Sequence, residues 1–142
     1  MRNYHEFHDG FLDGLWFDGE RVHVCLSTLK KAPFTLVADG VAALSAGGFR
    51  KGNLIFEVLV KTQEEITLSD VATMYALREG NAGRDQGNKL LKNAHDQKLE
   101  ILEINPSYGA SCLILAESFD LLARKEWLER YLAALSGVSP AD

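Results

Sequence analysis

The sequence predicts an α+β domain: a mostly antiparallel sheet of about six strands, with helices packed on one face and a C-terminal helix. Three observations carry this expectation. Short apolar stretches punctuated by turn residues crowd the first third of the chain, helical spacing of apolar residues begins only after Thr67, and strands do not alternate with helices as a nucleotide-binding parallel sheet requires. The whole chain reads as one domain, 1–142: β-rich over 8–62, a helical insertion over 67–98, two strands over 99–118 and a closing helix over 119–135.

The elements follow in order. Phe11–Phe17 is rich in aromatic and large apolar residues and ends at Asp18-Gly19, a turn pair. From Arg21 to Thr28, Val22, Val24 and Leu26 alternate with His23 and Cys25, so the three aliphatic side chains share one face of a strand and His23 and Cys25 the other. Phe34–Ala38 resumes the strand pattern after Lys30-Lys31-Ala32-Pro33, and Asn53–Lys61 is a nearly continuous apolar run of the kind covered on both faces. Between them, Asp39–Gly52 reads as a short helical or irregular connector anchored by Val41, Leu44 and Phe49, with a turn at Gly47-Gly48.

Thr67 or Ser69 can cap a helix whose Val71, Met74, Tyr75 and Leu77 recur at helical spacing up to Gly80. Asn81–Gly87 reads as a glycine-containing loop, Lys89–Gln97 as a short second helix, and Leu99–Ile104 as a strand ended by Asn105-Pro106. Gly109–Ser118 is the next strand. The last helix, from about Phe119, places Leu121, Leu128, Leu132 and Leu135 on or near one stripe with Trp127 and Tyr131 beside it, and ends at Gly137 and Pro140 ahead of a tail over 138–142.

Composition narrows the function. With 20 Asp and Glu against 15 Lys and Arg, the net charge is −5, which opposes general nucleic-acid binding because phosphates are held by cationic side chains. No run approaches the roughly 20 apolar residues of a membrane span. Residues 1–7 show no signal-peptide pattern, and two cysteines, Cys25 and Cys112, make no disulfide framework; both are expected as reduced core thiols in a cytoplasmic protein.

Catalytic signatures are absent. Gly80, Gly83, Gly87 and Lys89 lack phosphate-loop spacing, and Gly109–Leu113 lacks the final glycine of a nucleophile elbow. The densest metal-competent cluster is His5, His8, Asp9 and Asp13, whose histidines are three apart instead of the four that a zinc-binding helix uses. It supports a reading as a small metal-dependent or hydrolytic enzyme, against a purely structural role in which His8 and Asp9 fix the entry to the first hairpin. Tyr108, Asn105 and Ser107 at a loop would suit a small polar ligand, and a further reading is a homodimeric small-ligand-binding protein.

His8-Asp9-Gly10, the first hairpin, Gly40-Val41 with Leu44, and Phe49-Arg50-Lys51-Gly52-Asn53 leading into Leu54-Ile55-Phe56-Glu57-Val58 resemble small bacterial proteins of the polymorphic-toxin immunity type. The resemblance spans roughly residues 8–60 and implies a β-rich cytoplasmic protein that works by binding, with no catalytic set to transfer; no cofactor is expected. The leading expectation is therefore a non-catalytic module that meets a protein partner through an acidic surface, with Glu64, Glu65, Asp70, Glu79 and Asp85 as its candidate contacts.

Overall fold

The computed structural model describes the backbone of residues 1–135 and the side chains of residues 1–131. Seven strands run β1 (Arg2–Asn3), β2 (Phe11–Phe17), β3 (Val22–Ser27), β4 (Pro33–Gly47), β5 (Asn53–Lys61), β6 (Glu100–Tyr108) and β7 (Ser111–Ala123). The helices are α1 (Leu68–Met74), α2 (Asn81–Asp96) and α3 (Arg124–Leu135). All pairings are antiparallel, in the order β1-β5-β2-β3-β4-β7-β6, and β6 also pairs with β5. That last pairing closes β2 to β7 into a six-stranded barrel. The expected antiparallel α+β class holds, but the sheet is closed and helices lie against two parts of its outer wall, not on one face of an open sheet.

Period-two alternation builds the wall. Val22, Val24 and Leu26 of β3, Leu36 and Ala38 of β4, Val58 and Val60 of β5, Leu102 and Ile104 of β6, and Cys112, Ile114 and Ala116 of β7 point inward and fill the barrel. Phe7, from a 3₁₀ turn at His5–Phe7, plugs it with its ring edge-on to Phe34 at 5.5 Å. The seam between β2 and β5 is narrow, formed by Phe11↔Leu54 and Leu12↔Asn53. Outside the barrel, Ile101 and Leu115 form a second core with Val71, Met74 and Ala94, beneath α1 and α2.

Several sequence expectations need correction. Residues 39–47 are strand: β4 runs unbroken through them, with a register shift at Val41/Ala43. Val41 packs on the core, whereas Leu44 and Phe49 are exposed and anchor nothing. Small residues at Ala42, Ala43, Ser45 and Ala46 blur the alternation there. Asn81–Gly87 is the first half of α2, and its glycines are a packing device. A Cβ on Gly83 would collide with the Arg78 carbonyl oxygen, and one on Gly87 would press on Leu68 and Leu77. The first helix is shorter than expected, ending at Met74, with Ala76 in the left-handed region at φ 50°.

β6 passes through Asn105 and Pro106, because irregular pairing with β5 at Ile55 accommodates the proline. Residues 119–123 stay in β7, paired with β4 out to Phe34↔Ala123, and the closing helix starts at Arg124. Its side chain anchors the change of direction, donating to Thr35 Oγ1 at 2.9 Å and the Phe34 carbonyl at 3.0 Å. Trp127 and Tyr131 make the helix's contact with the barrel, while Leu128 is exposed. The side chains of Leu132 and Leu135, the stop at Gly137 and Pro140, and the tail over 138–142 lie outside the described residues.

Candidate functional site

The five acidic candidates lie around the start of the helical insertion, and local chemistry divides them. Thr67 caps α1 reciprocally: its Oγ1 accepts the Asp70 amide at 3.2 Å, and Asp70 Oδ2 accepts the Thr67 amide at 2.9 Å. Asp70 also faces Lys61 Nζ at 3.3 Å, which reaches Glu103 at 2.9 Å. Partial burial pushes the Asp70 carboxyl up, but the Thr67 bonds and the Lys61 ammonium outweigh it and hold it below the usual range. Glu65 is also occupied. It accepts from the Thr62 amide and hydroxyl at 3.1 and 2.9 Å and lies 2.7 Å from the Met1 amino group. That ammonium first, and Thr62 next, bring its carboxyl down to about 2. Glu64, Glu79 and Asp85 are exposed and make no ion pair among the described residues.

Glu79 stands at the rim of a cleft of about 390 Å³ between α1 and α2. Leu68, Ala72 and Leu77 supply its apolar lining, and Arg78 and Arg84 its positive rim. The geometry comes from the Gly83 contact described above, which lets α2 approach the Arg78 backbone closely.

The N-terminal cluster does not assemble a metal site. Among the described residues, no group of three or more His, Cys, Asp or Glu side chains is placed to hold an ion. His8 Nε2 stays 3.6 Å from Asp9 Oδ2, but the backbone keeps His5 and Asp13 from joining them. His5 sits in the 3₁₀ turn, Asp9 takes φ 61°, and Asp13 falls in β2 at the register shift between Leu12 and Gly14. His8 turns onto β5, where Nδ1 lies 2.7 Å from the Phe56 carbonyl oxygen; a carbonyl only accepts, so Nδ1 carries the proton. His5 and His8 do line one shallow cleft of about 170 Å³, with Tyr4, Phe56 and Glu57. The loop group also comes apart: Asn105 donates to Glu57 Oε1 at 2.9 Å, while Tyr108 is exposed.

The most organised polar cluster was not among the candidates. His23, fully buried on the outer wall beneath α3, lies 2.8 Å from Asp18 Oδ2 through Nε2 and receives the Trp127 indole N–H on Nδ1 at 2.9 Å. Indole only donates, so the neutral ring carries its proton on Nε2 and donates to Asp18. Trp16 stacks on the ring at 4.5 Å, and Tyr131 meets it edge-on at 5.1 Å. Partial burial pushes the Asp18 carboxyl up, but His23 and the amides of Arg21 and Glu20 outweigh it and hold it low. Arg21 closes the rim, bonded to Asp39 at 2.6 Å and lying over Tyr131 at 5.6 Å. The turn Asp18-Gly19 and an inward-outward alternation that puts His23 opposite the aliphatic face were the available signals; the partner Trp127 lies too far along the chain to be paired by eye.

Compared with known proteins, this chain matches no family model, no curated protein and no solved structure.

The thiols complete the chemistry. Burial pushes Cys112 up to about 12, and burial also raises half-buried Cys25, so neither is poised as a thiolate nucleophile. Cys112 is a core thiol as expected; Cys25 sits on the outer face beside Thr35. No helix among the described residues is long and apolar enough to cross a membrane.

Proposed function

We propose that the chain is a non-catalytic binding module of the immunity-protein kind, engaging a basic protein partner through the α1–α2 face. The carrying observation is the division among the acidic residues. Glu65 and Asp70 are consumed by caps and ion pairs, whereas Glu64, Glu79 and Asp85 are exposed, and Glu79 borders a cleft with an apolar lining. An apolar centre inside a polar rim is the anatomy of a protein contact; this rim is mixed, with Arg78 and Arg84 beside Glu79, and the exposed carboxylates of Glu79 and Asp85 are the groups that would meet the cations of a basic partner. The state of the reactive groups favours binding over catalysis: both ring nitrogens of His23 are engaged, His8 is bonded to backbone, and the thiols are raised.

The test is affinity capture from the source cells at low and high salt, followed by titration of the purified pair. A partner should be retained at low salt and released at high salt. Glu79→Lys with Asp85→Lys should abolish the complex while the barrel remains folded by circular dichroism. A complex indifferent both to salt and to these reversals would exclude the acidic face.

A further inference from the structure

β4 outruns its neighbour on one side. Its pairing with β3 ends at Val22↔Ala38, yet the strand continues to Gly47, paired on its other side with β7 from Asp39↔Ser118 to Gly47↔Ser111. Along Val41–Gly47 one edge therefore presents backbone N–H and C=O groups with no backbone partner among the described residues. Such an edge is a template for another strand unless charge, proline or distortion blocks it. Here the segment Val-Ala-Ala-Leu-Ser-Ala-Gly has no charged residue and no proline. Its single irregularity, at Val41/Ala43, leaves Ala43–Gly47 in regular register, and Leu44 in the middle is 40% exposed.

We propose that this edge pairs antiparallel with the same edge of a second copy of the chain, across a two-fold axis at Leu44. The flanking charges select both the occupant and the direction. At the start of the edge lie exposed Glu117, packed over Gly40, and Asp39, already held by Arg21 at 2.6 Å; just beyond its end, in the turn to β5, lie exposed Arg50 and Lys51. Antiparallel self-pairing brings the end of each strand beside the start of the other, so the basic turn of each copy meets Glu117 of the other, twice. Parallel pairing would set like charges together. In this register Leu44 faces its own counterpart and Ala43 faces Ser45, so no charge is buried at the centre. Backbone ladder bonds supply attachment, and the flanks supply direction.

Sedimentation of the full chain over micromolar to millimolar concentration should show a monomer–dimer equilibrium that weakens as salt rises. Hydrogen exchange should show protection of the 43–47 amides that grows with protein concentration. Leu44→Lys, at a position exposed in the monomer and checked for folding by circular dichroism, sets two ammonium groups face to face and should abolish the dimer. Arg50→Glu with Lys51→Glu should raise the dissociation constant about tenfold, the scale of two lost cross-strand charge pairs. A monomer at every concentration overturns the proposal, as does a dimer that survives Leu44→Lys or 43–47 amides equally protected at all concentrations. A dimer indifferent to the charge reversal overturns the antiparallel arrangement. Should Leu44→Lys fail to fold, the concentration dependence of exchange in the unaltered chain decides alone.

Discussion

The indole N–H of Trp127 and Nδ1 of His23 meet at 2.9 Å, joining α3 to the outer wall of the barrel through a group that only donates and a nitrogen that must then accept. The contact makes His23 a neutral ring protonated on Nε2, where Asp18 waits at 2.8 Å. Nitrogen-detected NMR of the ring should therefore show the Nε2–H tautomer near neutral pH. Trp127→Phe keeps most of the ring stacking and removes only the donor. It should cost about 1–3 kcal/mol in denaturant unfolding, the range for a buried acceptor left unpaired; a cost near zero would mean the bond does not hold α3.

Acid should weaken the same junction. The Asp18 carboxyl is held below its ordinary value in the fold, so the unfolded chain binds a proton there first as pH falls. Its contribution is complete above the ordinary carboxylate range and fades as pH drops through the lowered folded value. Asp18→Asn should be less stable than the unaltered chain at neutral pH, and the gap should narrow in acid, as followed by urea midpoints across pH.

Gly83→Ala reverses the usual helix rule. Alanine in a helix interior ordinarily stabilises by about 1 kcal/mol over glycine. In α2 its methyl would strike the Arg78 carbonyl oxygen, so thermal unfolding should come earlier. Asn88→Ala, exposed on the same helix, should leave the midpoint unchanged or raise it slightly.

Thiol labelling separates the two cysteines. Cys112, inward in the barrel with its thiol raised to about 12, should react with a disulfide reagent only on unfolding. Half-buried Cys25 should react slowly in the native protein. Fast labelling of Cys112 would mean that the barrel opens readily.

Zinc titration addresses the N-terminal histidines. With His5, His8, Asp9 and Asp13 spread over a turn, a left-handed residue and a strand, calorimetry should show no stoichiometric binding. His8→Ala should cost about 1 kcal/mol of stability through its bond to Phe56.

Residues that carry a strong local pattern were legible in the sequence. Val22, Val24 and Leu26 announced both the strand and its inward face, and Thr67, one of the two caps expected with Ser69, does start α1. What escaped depends on distant partners. Pro106 looked like a strand end because the irregular β5–β6 pairing that tolerates it is invisible locally, and closure rests on contacts between β5 and β6, far apart in the chain. Gly83 and Gly87 looked like a loop because glycine disfavours helix, and tight packing against Arg78, Leu68 and Leu77 overrides that preference. The acidic candidates were visible as residues, but which of them fold consumes, Glu65 and Asp70, follows from Thr62, Lys61 and Glu103 positions that only the fold brings together.

The narrow seam between β2 and β5 is held by residues far apart in the chain. Asn53 sits in it as a buried clasp, its Oδ1 accepting the amides of Arg50 and Ala110 at 2.7 and 3.1 Å and its Nδ2 donating to the Leu12 carbonyl at 3.4 Å. Hairpins such as β2–β3 and β6–β7 join neighbouring sequence, whereas this clasp needs residues 12, 53 and 110 to converge, contacts that carry a larger loop-closure cost and are expected to form late. An Asn53 side chain that joins only after the rate-limiting barrier would act mainly on the rate at which the native barrel opens, making that one amide a brake on unfolding and not a guide to folding.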